Sequence, residues 1–142
     1  MYKYKQLRDG VYVVSLDNHV NLIEALSDFC RAEKIEAGSV NGIAAQGEAT
    51  FRFLDPAVKK YVDRTLSEQM EATCIIGNIS VKDGAPYLHV HVTCSRSDYS
   101  CVGGHLLEAR INGACELFVE KFAGVSNGRR FDPDTGLTLY DL

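Results

Sequence analysis

Two runs rich in β-branched and apolar residues, Glu71 to Val81 and Tyr87 to Cys94, flank Lys82-Asp83-Gly84-Ala85-Pro86. Those five carry the Asp, Gly and Pro of a hairpin loop, so the runs read as paired antiparallel strands. A hairpin of this length cannot bury both faces alone, and the rest of the chain must supply more sheet or something to lie on it.

The other segments supply both. Tyr2 to Leu7 alternates aromatic with polar residues, and after Asp9-Gly10 the run Val11 to Leu16 is apolar and β-branched, which predicts two strands joined by a turn. From Val20 to Lys34 the period changes: Leu22, Ile23, Leu26, Phe29 and Cys30 recur at steps of three and four, the stripe of an amphipathic helix. Asn21 followed by Glu24 fits a capping box, and Gly38 lies past the helix end. Gly38, Gly42 and Gly47 interrupt Ala37 to Leu54, predicting two strands with a bend between them. A turn and an edge strand are expected over Ala57 to Ser67, a turn on Gly103-Gly104, and strands over Cys115 to Phe122 and Leu137 to Leu139. No repeat or linker divides the chain, and the balance is a strand-rich α+β domain over residues 1–142, one helix on a largely antiparallel sheet.

In Leu88-His89-Val90-His91-Val92 side chains alternate between sheet faces, so the two histidines point one way and the aliphatic residues the other. Two strand steps separate them by roughly 6.6 Å, from which two imidazoles can lean towards one ion. His105 follows Gly103-Gly104, where the backbone can approach closely and aim a third ring. Three neutral imidazoles leave one position of a tetrahedral ion open to water or substrate. The same pattern also fits an ordinary half-exposed strand face with a histidine in a nearby turn. Thr93 shares the histidine face, Cys94 has the opposite parity and is excluded as a ligand, Cys101 reads as a packed loop residue or, from its nearness to His105, as a further ligand, and His19 reads as a turn or surface residue. Glu71 opens the neighbouring strand and is the candidate catalytic residue, as a general base or as a partner orienting an imidazole; a solvent-facing role fits it equally, and Glu116 carries the same ambiguity.

The formal net charge is −4, and the densest basic clusters are the pairs Lys59-Lys60 and Arg129-Arg130, so the chain as a whole supplies no attraction for phosphate. Five cysteines form no CxxC pair, which suits a reducing cytoplasm. The start Met1-Tyr2-Lys3-Tyr4 lacks the apolar stretch of a signal peptide, and no run of about 18 apolar residues occurs, so neither export by that route nor a membrane span is expected.

Taken in order, Gly42-Ile43-Ala44-Ala45, Glu71 opening a strand that ends Gly77-Asn78-Ile79-Ser80, Pro86-Tyr87-Leu88-His89-Val90-His91 and Gly103-Gly104-His105-Leu106 resemble the plants-and-prokaryotes-conserved (PPC) domain. The resemblance implies an α+β fold on a mixed or antiparallel sheet of about seven strands, assembly as a homotrimer, and a metal, usually zinc, on His89, His91 and His105. It leaves two functions to choose between. One is metal-assisted chemistry on a small-molecule ligand; the other is a DNA-associated or regulatory module with a structural metal, the role by which such domains are often labelled. No Arg-Gly-Arg-Pro core of an AT-hook occurs, and Gly128-Arg129-Arg130 is a poor substitute. The family's usual Gly-Ile-Gly-Ala reads Gly42-Ile43-Ala44-Ala45, a change tolerated only if Ala44 needs no positive φ.

Overall fold

A computed structural model describes Met1–Leu142. Strands β1 (Tyr2–Arg8) and β2 (Val11–Leu16) form the expected hairpin around Gly10, at φ 71°. Helix α1 (Leu22–Ala32) begins where the Asn21 side chain accepts from the backbone N–H groups of Ile23 and Glu24, satisfying donors that have no intrahelical partner. Its buried stripe is Leu22, Ala25, Leu26, Phe29 and Cys30. Phe29 stands edge-on to Tyr2, Tyr4 and Tyr12, tying the helix to the first hairpin. The helix is stopped by Lys34, at φ 53°, with the Ile35 N–H reaching back to the Cys30 carbonyl, rather than by Gly38.

Strand β3 (Gly38–Asp55) is one 18-residue strand where two were expected. Its bends are register shifts, at Gly42/Ala44 against one neighbour and at three further places against another, which let a single strand curve without breaking. Ala44 is buried and has no positive φ, so the alanine is accommodated. The edge strand β4 (Lys60–Leu66) follows as expected. Strands β5 (Met70–Lys82) and β6 (Ala85–Ser95) form the central hairpin, its loop tightened to Asp83 and Gly84, both at positive φ. Strand β7 (Cys101–Lys121) runs for 21 residues straight through Gly103-Gly104, where a turn was expected. A separate two-stranded sheet, β8 (Arg129–Asp132) and β9 (Leu137–Tyr140), closes the chain.

The large sheet has the order β1-β2-β7-β6-β5-β3-β4, and β7 also pairs with β3, so β7, β6, β5 and β3 close on themselves. Every named strand pair is antiparallel. The core joins the stripe of α1 to the inward residues of the strands, among them Val14, Val40, Ile75, Val90, Ile111 and Leu117. The fold is therefore sheet-dominated, and the expected α+β balance shifts towards β because one 11-residue helix is all the helix there is.

Candidate metal centre

The β6 alternation holds: Val90, Val92 and Cys94 are buried in the core, leaving His89, His91 and Thr93 on the opposite face. His91 stands across from His105 on β7, and His105 in turn stands across from Arg52 on β3. The close approach of β7 depends on Gly103, since a Cβ there would lie 2.4 Å from the Val92 carbonyl oxygen; Gly104 follows at φ 151°. The glycine pair thus aims His105 as expected, by letting two strands meet rather than by turning the chain.

The three rings converge. Their centroids are 5.1, 5.1 and 5.4 Å apart, and one nitrogen from each ring lies within 4.8 Å of the others. The Nε2 atoms of His89 and His91 are 3.2 Å apart. Ligand atoms about 2.0–2.1 Å from a tetrahedral zinc ion are roughly 3.3–3.4 Å from each other, so small rotations bring all three nitrogens to one ion. Burial is the main reason that the His105 imidazolium is disfavoured, with the like charges of His89, His91 and Arg52 adding to it and Asp63 opposing; its pKa falls to about 4. His89 is also lowered, by burial first and then by His91 and Arg129. Both present neutral rings with free lone pairs at neutral pH, as a metal requires, so the donor set fits a divalent transition ion.

The triad lies on one side of a cavity of about 620 Å³. Phe53, Leu54 and Tyr61 of β3 and β4 line it, as do Leu137, Leu139 and Tyr140 of the small sheet. Two guanidiniums border it. Arg52 forms a bidentate pair with Asp63 at 2.8 and 2.7 Å and lies 4.6 Å over the Tyr61 ring. Arg129 lies between Tyr87 and Tyr140, 4.8 and 4.1 Å from the ring centroids, with Nε donating to Ser80 Oγ at 2.6 Å and Nη1 to the Thr138 carbonyl at 3.1 Å. No carboxylate is among the lining residues.

The expectation that Glu71 sits beside the histidines is corrected by the register of the β5–β6 hairpin. Asn78 and Ile76 stand opposite His89 and His91, whereas Glu71 pairs with Ser95, five residues or about 17 Å further along β5. Glu71 and Glu116 instead line a separate hollow with Ile43 and Thr73. Cys94 is buried and accepts from Gln46 Nε2, Cys101 is exposed opposite Ser95, and neither these nor His19 joins the cluster. The basic pairs are also divided: Arg129 faces the cavity, Arg130 pairs with Asp141, and Lys59 donates to the carbonyls of Pro133 and Asp134. Sequence reasoning missed Arg52, Tyr87, Arg129 and Tyr140. The signal for the last two was Asp132-Pro133-Asp134-Thr135-Gly136 between short alternating runs, the loop of a second hairpin.

Residues 5–123 match the model of the Plants and Prokaryotes Conserved (PCC) domain. A protein of Bacteroides thetaiotaomicron, provisionally named as DNA-binding, is 47% identical, with 99% of this chain and 97% of that one covered and a TM-score of 0.95. A protein of Ralstonia eutropha with the same provisional name is 30% identical over 99% and 96%, with a TM-score of 0.90. A protein of Archaeoglobus fulgidus described as metal-containing is 31% identical over 99% and 97%, with a TM-score of 0.87. No curated protein matches the chain at a significant level.

Proposed function

The chain belongs to the Plants and Prokaryotes Conserved domain family, and from that premise we propose that His89, His91 and His105 hold a divalent transition ion, zinc by preference, for chemistry on a small molecule in the adjoining cavity. The observation that carries this reading is the convergence of three imidazole nitrogens within 4.8 Å at the wall of that cavity. The metal-containing relative supports it. Three histidines leave a coordination position for a ligand oxygen, and the bound ion would supply Lewis-acid polarisation there. The protein's own part is to keep His89 and His105 unprotonated, to hold Arg52 on Asp63 beside the triad, and to offer apolar side chains against which a ligand can pack.

The provisional names of two relatives favour a second reading, a DNA-associated module with a structural metal. Against it stand the net charge of −4 and the engagement of Arg52, Arg96 and Arg130 by carboxylates within the chain. Assembly as a homotrimer is part of the first reading. Ile76, Asn41 and Phe118 form a row across β5, β3 and β7, with Ile43 beside it, and all three apolar side chains are about half exposed or more. A second copy is the occupant that would cover this face. No helix is long and apolar enough to cross a membrane, and the five free thiols suit the cytoplasm.

The test is elemental analysis of the purified, untagged protein beside a variant with His89, His91 and His105 all changed to alanine. About one ion per chain in the first and none in the second is expected; equal content in both would refute the assignment.

A further inference from the structure

Arg129 is held with unusual completeness on three sides and left unanswered on the fourth. Its ring-stacked guanidinium donates through Nε and Nη1, and Ser80, which accepts from Nε, donates its own hydroxyl to the Tyr87 carbonyl, so the fork has a fixed orientation. Nη2 is buried and has no hydrogen-bond partner. Arg129 takes part in none of the ion pairs, in contrast to Arg52, whose charge Asp63 already meets. A part-buried guanidinium without a counter-charge is costly, and two unused donors add to that cost. Its place is beside the proposed metal ligands: Tyr87, on which it stacks, lies two residues before His89 on the same face of β6, about 6.6 Å away.

From this geometry we infer that the cavity takes a small carboxylate anion, its carboxylate facing Arg129, its hydrocarbon body against Phe53, Leu54, Leu137 and Leu139, and a second oxygen reaching the histidine triad. The last element rests on the metal reading; the Arg129 element does not. One unanswered positive charge on a planar fork suits a planar monoanion. A phosphate dianion would bring a second negative charge for which the cavity has no second free guanidinium, since Asp63 has taken Arg52. Because Nη2 is shielded from solvent, the carboxylate reaches it only if the β8–β9 sheet yields slightly. That sheet is a separate layer, joined to the body through Arg129, Lys59 and the Val81 backbone.

Calorimetric titration of zinc-supplemented protein with 2-hydroxy-4-methylpentanoate, with its uncharged amide and with inorganic phosphate tests the inference, with metal content measured on the same samples. The acid is expected to bind at least tenfold more tightly than the amide and more tightly than phosphate. Arg129→Gln is expected to erase the acid–amide difference at unchanged metal content, and Arg129→Lys to keep part of it. Parity of acid and amide, tighter phosphate, or no detectable binding of the acid by metal-loaded wild-type protein overturns the inference while leaving the metal reading intact. Wild-type protein without metal overturns the metal reading alone, and the acid–amide ratio on that protein then decides the role of Arg129, tenfold supporting it and parity or absence of binding refuting it. The wild-type comparison needs no substitution, so loosening of the small sheet in Arg129→Gln cannot obscure the answer.

Discussion

His91 on β6 and His105 on β7 stand directly opposite one another in the antiparallel ladder, ring centroids 5.4 Å apart and planes at 86°. Cross-strand neighbours keep their spacing as long as the ladder is intact, so these two ligands are preorganised, and His89 completes the set from two residues away on the same face. Removing either member of the pair should therefore release the ion without unfolding the sheet. His91→Ala and His105→Ala proteins are each expected to lose metal affinity by tenfold or more. A saturating ion at about 100 times its dissociation constant should add about 2.7 kcal/mol to the stability of wild-type protein and almost nothing to either variant. Thermal melts with and without zinc read both effects.

The metal-free protein should lose stability as pH falls from about 6.5 towards about 4. His105 has its folded-state pKa lowered to about 4 and His89 is lowered as well. In that window the unfolded chain binds protons that the folded chain does not, so unfolding becomes easier as pH drops; above it both states are neutral and the contribution is flat. His105→Gln should flatten the slope of the unfolding midpoint against pH. A slope unchanged by the substitution would contradict the assignment of this dependence to His105.

Gly103→Ala should damage both fold and site. The added methyl meets a backbone oxygen at 2.4 Å, which no side-chain rotation relieves, so β7 must move away from β6. A loss of about 2 kcal/mol or more in urea unfolding, with weaker zinc binding, is expected. Gly103 has no positive φ, so the clash alone is at issue, and Gly128→Ala, where φ is likewise not positive and nothing lies within 4 Å, is the matched control.

Light scattering should return three times the chain mass of 15.7 kDa. Phe118→Asp places a charge at the β7 end of the exposed row and should shift the protein to monomer at micromolar concentration. A monomer mass for wild-type protein across a wide concentration range would rule the trimer out.

Duplex DNA, A·T-rich or mixed, should bind weakly at low salt and not measurably at physiological salt. The net charge is −4 and four of the arginines, Arg31, Arg52, Arg96 and Arg130, are committed to carboxylates. A sub-micromolar affinity surviving at the higher salt would make the DNA-associated reading the better one.

The helix cap at Asn21, the central hairpin and the shared facing of His89 and His91 were legible because each depends on residues within a few positions of one another. Gly103-Gly104 was not, since a glycine pair marks a turn and a close strand approach alike, and only the Val92 carbonyl beside it decides. Glu71 was misplaced for a related reason: the strand pair was readable, but the residue that opens β5 lies five positions from Ile76, which stands opposite His91, and only the register says so. Arg129 and Arg130 read as one basic pair until a strand put them on opposite sides, one towards the cavity and one towards Asp141.

Strand β7 is the partner of β2, β3 and β6 at once, and it is the last long strand in the chain. During synthesis, everything through Ser95 can emerge with the central hairpin formed and still leave three strand edges waiting for one segment. Such open edges invite pairing with other chains, so the interval between residues 95 and 121 is the time at which this protein is most exposed to aggregation.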